Sequence, residues 1–243
     1  MAYFPIYIDI KDKQCVVVGG GRIALRKIEI LHQFGAKITV IAPYICDDIY
    51  NIENNASLDE FAYLEEDIYT GESDDLGDKS IHITFVKREF NDSDICDVQL
   101  VVAATDNEIL NSHISDICKR KNILVNVVDV KDECTFIFPA ICKKGELVIS
   151  VSTGGSSPSM AHKIRKNIES VIPDYYSSLI EFLGEHRDYI KSEIHLQEQR
   201  KKVYNEFIKI VEKNQEDMSF DTINKIVAKY KKLQEGDCKT DGI

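Results

Sequence analysis

Three consecutive glycines, Gly19-Gly20-Gly21, directly follow the apolar run Cys15-Val16-Val17-Val18, and this junction limits the fold more than any other feature of the chain. Residues 14–18 read as a short buried strand. Residues 23–34 read as a helix, with Ile23, Leu25, Ile28, Leu31 and Phe34 mostly at helical spacing. Gly35 supplies a stop signal, and residues 37–42 form a second strand ended by Pro43. Strand, glycine turn, helix and strand make a βαβ unit, whose strands are parallel with a right-handed crossover. Gly19-Gly20-Gly21-Arg22-Ile23-Ala24 also fits G-x-G-x-x-G/A. In that pattern Gly19 permits the tight turn, Gly21 lets the backbone approach a pyrophosphate, and Ala24 lets the helix pack closely on the strand. The helix N-terminus then offers free N–H groups to phosphates. Gly19 and Gly21 are therefore expected cofactor-binding positions. The second strand ends without an acid to hold an adenosine ribose, and Asp47 and Asp48 come slightly late. No arginine follows for a 2′-phosphate, so NAD is expected over NADP, with backbone groups around residues 42–44 at the ribose.

Further strand and helix signals alternate: strands at 81–87, 98–104 and 123–128, and a helix at 106–121. That alternation predicts an α/β fold, a doubly wound parallel sheet of Rossmann-like type. Residues 135–138 and 147–151 are strand-like and joined through Lys143-Lys144-Gly145, which suggests a hairpin-like element outside the parallel sheet. From Pro158 onward the pattern is helical, with Tyr176, Leu179, Ile180 and Leu183 on one face and Ile223, Ile226, Val227 and Tyr230 on another. The expected division is 1–113, 114–157 and 158–243.

Composition limits the function class. No apolar run approaches the roughly 20 residues of a bilayer span. Pro5 and Asp9 interrupt any signal-peptide pattern, so a cytoplasmic protein is expected, with no membrane partner. The seven cysteines are odd in number and form no C-x-x-C pair, which argues for reduced thiols rather than disulfides or structural zinc. The net charge of −11 is concentrated: residues 47–80 hold twelve acids against Lys79 alone, and so sum to −11 by themselves. That stretch reads as a solubilising surface insertion with a helical turn or hairpin. No long basic stripe appears, so no nucleic-acid partner is expected. The histidines show no H-x-x-x-H spacing, and no fixed metal site is assigned.

Three more segments complete the pattern: Ala103-Ala104-Thr105-Asp106, Val125-Asn126-Val127-Val128-Asp129, and Ser152-Thr153-Gly154-Gly155-Ser156-Ser157-Pro158. With residues 18–27 and the opening Phe4-Pro5-Ile6-Tyr7, their order and spacing resemble the precorrin-2 dehydrogenase / sirohydrochlorin ferrochelatase family, the dehydrogenase part of siroheme synthases. The resemblance covers residues 1–173. It implies NAD-dependent removal of two hydrogens from the tetrapyrrole precorrin-2, giving sirohydrochlorin. Some members of the family also insert Fe²⁺ as a substrate, and no motif separates the two activities. It further implies a homodimer with an NAD-binding Rossmann domain (1–113), a small β-containing dimerisation region (114–157) and a C-terminal helical domain (158–243). The family's functional aspartate falls on Asp129. Its cofactor contacts fall on Arg22, Ile23, Pro43 and Tyr44, with Thr105 and Asp106 nearby. Thr153 stands where some bifunctional members carry a serine.

The residues admit specific roles. Asp129 follows an apolar strand at the carboxyl end, where α/β sheets bind ligands, and can take a proton as hydride leaves; the bland alternative is a turn or capping aspartate. Asp106 either caps the next helix or sits at the cofactor. Asn126 either meets the nicotinamide side or satisfies strand-end backbone groups. Ser157 suits an N-cap and Pro158 the first helical position. Thr153, Ser157, Ser159 and Lys163 are the expected substrate-binding residues, with His162, Arg165 and Lys166 adding positive charge for a substrate bearing eight carboxylates. The alternative is a solvated basic helix face. A dinucleotide-sensing module without turnover is the competing function.

Overall fold

A strand buried on both faces needs partners along both edges and helices above and below it. Residues Cys15 to Val18 are all buried, and the computed structural model, which describes residues 3–52 and 83–237, supplies both. The strands are β1 (Gln14–Val18), β2 (Lys37–Ile41), β3 (Ile83–Val86), β4 (Leu100–Ala103) and β5 (Leu124–Val127). They form one sheet in the order β3-β2-β1-β4-β5, with every neighbouring pair parallel. Helix α1 (Arg22–Gln33) covers one face, where Ala24, Ile28 and Leu31 meet Cys15, Val17, Ile38, Val40 and Val102. Helix α3 (Glu108–Arg120) covers the other, where Ile114, Ile117 and Cys118 meet Val16, Val18, Val101, Ala103 and Val125. Successive residues of β1 thus serve opposite cores, as a period of two requires. A short helix, α2 (Asp47–Asn51), begins the acidic stretch, whose remaining expected turn or hairpin lies outside the described residues.

The described chain falls into two compact units. One takes residues 3–52, 83–140 and 151–163, and the other takes 141–150 and 164–237. Helix α3 runs through the expected boundary at 113–114, and β5 beyond it is the fifth strand of the same sheet, so the nucleotide-type unit extends to residue 140. The hairpin lies outside the parallel sheet, but it is formed by β6 (Ala140–Lys144) and β7 (Leu147–Val151). The two-residue connection, with Gly145 at φ +54°, makes this pair antiparallel. Residues 135–138 are not its first strand. Thr135 N–H donates to Val125 O (2.9 Å), and Phe136 and Phe138 stack edge to face against the core (5.1 Å), which commits them to the first unit.

Helix α4 (Pro158–Val171) begins in the first unit and ends in the second. The second unit continues with α5 (Tyr176–Glu185), α6 (Arg187–Glu193), α7 (Gln197–Lys213) and α8 (Phe220–Asp237). Its core gathers Leu179, Ile190, Ile194, Val203, Phe207, Val211, Ile223, Ile226 and Val227. The expected apolar faces around Leu179 and Ile223 are therefore the buried ones, with Phe182 rather than Tyr176 and Ile180 joining Leu179 and Leu183. Among the described residues no helix is long and apolar enough to cross a membrane.

Candidate active site

In the order β3-β2-β1-β4-β5 the chain reverses its direction of progress between β1 and β4, and ligands of such sheets bind in the crevice at the carboxyl ends of those strands. The ladder continues past the strands at that edge. Gly19 N–H donates to Ile41 O (2.9 Å), Ala104 N–H to Val18 O (2.8 Å), and Val128 N–H to Ala103 O (3.0 Å). Gly19–Gly21, Pro43–Tyr44, Thr105–Asp106 and Asp129 consequently emerge side by side from four strands.

The three glycines differ in what they require. Gly19 has φ +123°, and a Cβ there would run into Ala104 O and lie 2.7 Å from Ala104 C. Gly20 would bring a Cβ against Tyr44 O and within 2.7 Å of Ile45 Cα, while its own carbonyl accepts from Cys46 N–H (2.9 Å). Gly20 lies at the free position of G-x-G, so its signal in the sequence is only a glycine more than the motif needs. Gly21 is different. It is the N-cap of α1 at φ −93°, ψ −176°, and beyond its own chain neighbours nothing lies within 4 Å of where a Cβ would stand. The space that a side chain would fill is open, as the pyrophosphate of a dinucleotide requires. The first helical bond runs from Leu25 N–H to Gly21 O, so the N–H groups of Arg22, Ile23 and Ala24 precede it and point out of the helix end. Ala24 is fully buried against the strand. These residues fit a nicotinamide dinucleotide.

At the end of β2, Pro43 and Tyr44 are exposed, and Asp47 and Asp48 lie on α2. The basic residues after β3 are engaged: Arg88 grips Asp94 through two bonds (2.6 and 2.8 Å), and Lys87 lies over the Tyr50 ring (4.9 Å). Arg88 holds the Asp94 carboxyl below its ordinary value.

After β4, Thr105 is pinned. Its hydroxyl donates to Asn111 Oδ1 (2.7 Å) and accepts from Asn107 N–H (3.2 Å), and Asn111 Nδ2 donates to Thr105 O (2.9 Å). Asn111 is buried on α3. Asn107, not Asp106, caps α3: its side chain accepts from Leu110 N–H (3.1 Å). Asp106 is left exposed at the crevice. Neither Asn107 nor Asn111 was singled out from the sequence.

After β5, residues 127–130 turn sharply with Asp129 at φ +62°, a left-handed conformation that costs a non-glycine residue about 1 kcal/mol or more. Its carboxylate is exposed. Asn126 does not face the crevice: it is buried and donates to Phe136 O (3.1 Å), the backbone-satisfying alternative. Lys131 crosses to the glycine loop and donates to Gly154 O (2.5 Å). The Asp129 turn and the loop at 153–157 are thus tied together within the first unit.

That loop is shaped by Thr153, whose hydroxyl accepts from Ser157 N–H (3.1 Å) and donates to Ser157 O (2.9 Å). Gly154 and Gly155 take φ +63° and +82°. Ser157 is the N-cap of α4, accepting from Met160 N–H (3.3 Å), and Pro158 is its first residue. Ser159, Lys163 and Lys166 are exposed. Arg165, expected to add positive charge for the substrate, is instead buried and pairs with Glu169 (2.5 Å), so it adds nothing to an exposed basic face. The i,i+4 spacing of Arg165 and Glu169 was the available signal. Among the described residues no three His, Cys, Asp or Glu side chains converge as metal ligands. Six described cysteines are free thiols; Cys15 and Cys118 are pushed up to about 11 by burial.

Comparison with known proteins bears on the family and the fold. The model of an NAD(P)-binding family matches residues 6–140. The siroheme synthase of Ruthia magnifica subsp. Calyptogena magnifica is 39% identical over 191 residues, 79% of this chain and 35% of that protein. That of Vesicomyosocius okutanii is 36% identical over 192 residues, 79% of this chain and 36% of the relative. That of Nitrosospira multiformis is 36% identical over 205 residues, 84% and 39% respectively. The chain thus spans less than two-fifths of the length of the curated relatives it matches. A solved structure described as "SirC, precorrin-2 dehydrogenase" shares the fold with a TM-score of 0.61 at 22% identity, covering 95% of this chain and 100% of that one.

Proposed function

The chain belongs to the NAD(P)-binding family matched over residues 6–140, and from that premise we propose that it is a dehydrogenase of siroheme synthesis, oxidising precorrin-2 to sirohydrochlorin with NAD⁺. The observation that carries this reading is the row formed by the glycine turn, Thr105 and the strained Asp129 on the adjacent strands β1, β4 and β5. Two strand spacings, roughly 10 Å, separate the glycine turn from Asp129. The names and identities of the siroheme synthase relatives support the tetrapyrrole substrate.

The reaction removes two hydrogens, one with its electron pair as hydride and one as a proton, and yields sirohydrochlorin, NADH and H⁺. When bound, the nicotinamide supplies the hydride acceptor. Gly19 makes the tight turn that leaves Gly21 and the N–H groups of Arg22 and Ile23 free, and these would hold the pyrophosphate, while the backbone at Pro43 and Tyr44 would meet the ribose. Engagement of Arg88 by Asp94 leaves that arginine unsuited to a 2′-phosphate, which supports NAD over NADP. Thr105 and Asp106 line the crevice at the switch point. Asp129 takes the proton on a carboxylate oxygen. Thr153 and Ser157 shape the loop that faces the substrate, and Ser159 and Lys163 on α4 meet its carboxylates.

Incubating the purified protein with precorrin-2 and NAD⁺ tests the reading. NADH and sirohydrochlorin form in equal amounts, and NADP⁺ serves poorly. NADH binding without any turnover at saturating substrate would mark a dinucleotide-sensing module instead. Iron insertion is tested separately: Fe²⁺ added to sirohydrochlorin without NAD⁺ reads whether the protein forms siroheme, and siroheme formed by the unaltered protein but not by Asp129→Ala would assign both steps to that carboxylate. The same reading makes the protein a cytoplasmic homodimer of 27.7 kDa chains, measurable by sedimentation.

A further inference from the structure

A non-glycine residue at positive φ persists only when its surroundings over-determine it. Asp129 occupies the third position of the turn 127–130, where glycine or asparagine is usual, and the backbone bond that closes the turn, Val130 N–H to Val127 O, is long at 3.4 Å. Something else must hold the chain in this shape. The side chain that does so is Cys134, buried beneath the turn. Its Sγ accepts from Val127 N–H (3.2 Å) and from Asn126 Nδ2 (3.5 Å). Its single proton is shared between Val127 O (3.2 Å) and Val130 O (3.3 Å). One thiol therefore grips both ends of the turn that carries Asp129. Cys134 is itself anchored, because its N–H donates to Lys131 O (3.2 Å) and Asn126 ties Phe136 O to the same strand end.

We propose that Cys134 is a positioning residue for Asp129: its protonated thiol clamps the turn from Val127 to Val130 and fixes the carboxylate at the carboxyl edge of β5. A thiol serves here because it donates weakly and accepts weakly along several directions at once, which suits a small buried space ringed by backbone groups of both kinds. Serine keeps both capacities with a shorter reach, and alanine keeps neither.

The inference rests on the role given to Asp129, and its test separates the two. Cys134→Ala and Cys134→Ser are compared with the unaltered chain. Amide hydrogen exchange reads the clamp without any substrate. In Cys134→Ala, the Val127 amide, which the thiol accepts from, and the Val130 amide, which closes the turn, exchange at least ten-fold faster while those of β4 do not change; Cys134→Ser recovers most of the protection. Turnover then reads the consequence for Asp129. A misplacement of about 1 Å costs on the order of 100-fold, so Cys134→Ala lowers kcat by roughly 10- to 100-fold, leaves NAD⁺ affinity unchanged, and Cys134→Ser is intermediate. Unchanged exchange at residues 127 and 130 overturns the clamp. Faster exchange with unaltered kcat overturns its link to Asp129. If Cys134→Ala unfolds, Cys134→Ser supplies both readouts, and a loss of NAD⁺ affinity equal to the loss of kcat would reduce the thiol to general packing and refute the proposal.

Discussion

Gly20 and Gly21 are neighbours of identical chemistry, yet a methyl group at each has opposite consequences. At Gly21 the backbone is extended, a conformation any L residue adopts, and the Cβ direction is open for at least 4 Å. Replacing Gly21 with alanine lowers the entropy of the unfolded chain, a gain of about 0.4–1 kcal/mol. It also replaces an acceptable N-cap with a poor one, a loss of similar size. The net effect on stability lies within about 1 kcal/mol, which for a chain of this length keeps Tm within roughly 2–4 °C. Cofactor binding suffers instead. The methyl occupies the approach of the pyrophosphate to the N–H groups of residues 22–24, and losing one charge-assisted hydrogen bond costs about 1.5–3 kcal/mol. Gly21→Ala therefore binds NADH about 10- to 150-fold more weakly. Gly20→Ala drives its Cβ into the backbone of Tyr44 and Ile45. Overpacking of that kind costs about 1–3 kcal/mol or more, a fall of roughly 2–12 °C. Calorimetric titration with NADH and thermal melts of both variants check the pair. Unweakened NADH binding by Gly21→Ala, or a melting point depressed as far as that of Gly20→Ala, refutes the assignment of the open space to the cofactor.

Other changes have equally definite outcomes. Asp129→Gly relieves the positive φ, so Tm is unchanged or raised by an amount corresponding to about 1 kcal/mol, while turnover is lost and NAD⁺ binding is retained; kcat beside a melt checks it, and retained kcat removes the carboxylate from the mechanism. Lys131→Met keeps the stem beside Gly155 but removes the bond to Gly154 O, a net contribution of about 0.5–1.5 kcal/mol, and raises KM for the tetrapyrrole about 2- to 12-fold with NAD⁺ affinity unaltered. Acid unfolding reports the Arg88–Asp94 pair. The folded pKa of Asp94 is depressed by the bond from Arg88, so its stabilisation is present above the ordinary carboxylate pKa and is lost as pH falls through the folded value. Arg88→Ala consequently unfolds at a higher pH in a circular-dichroism acid titration, and an unmoved midpoint discounts the pair.

The sequence specified the first βαβ unit almost to the residue, because its signals are local. Burial of consecutive valines, glycine at the turn and apolar spacing along α1 all act within about twenty residues. The cap at Ser157 and the start of α4 at Pro158 were legible for the same reason. One-residue choices were not. Asp106 and Asn107 are both good N-caps, and only the path of the chain off β4 puts the second of them over Leu110 N–H. Residues 135–138 have strand-like composition, but Thr135 bonds back to Val125, ten positions away, and the hairpin starts two residues later, at Ala140.

By itself, then, the amino-acid sequence determined a parallel α/β unit with a glycine turn at its first strand and an aspartate at the end of its last, since periodicity and backbone permissiveness are properties of short segments. Only the tertiary structure decided which groups complete the site. Gly20 is required by the backbone of residues 44 and 45, Thr105 is fixed by Asn111, Arg165 is withdrawn by Glu169, and Asp129 is braced by Cys134 and joined to the 153–157 loop by Lys131. Most of these pairings join residues apart in sequence, and their strength depends on distance and direction in three dimensions, which no local pattern encodes.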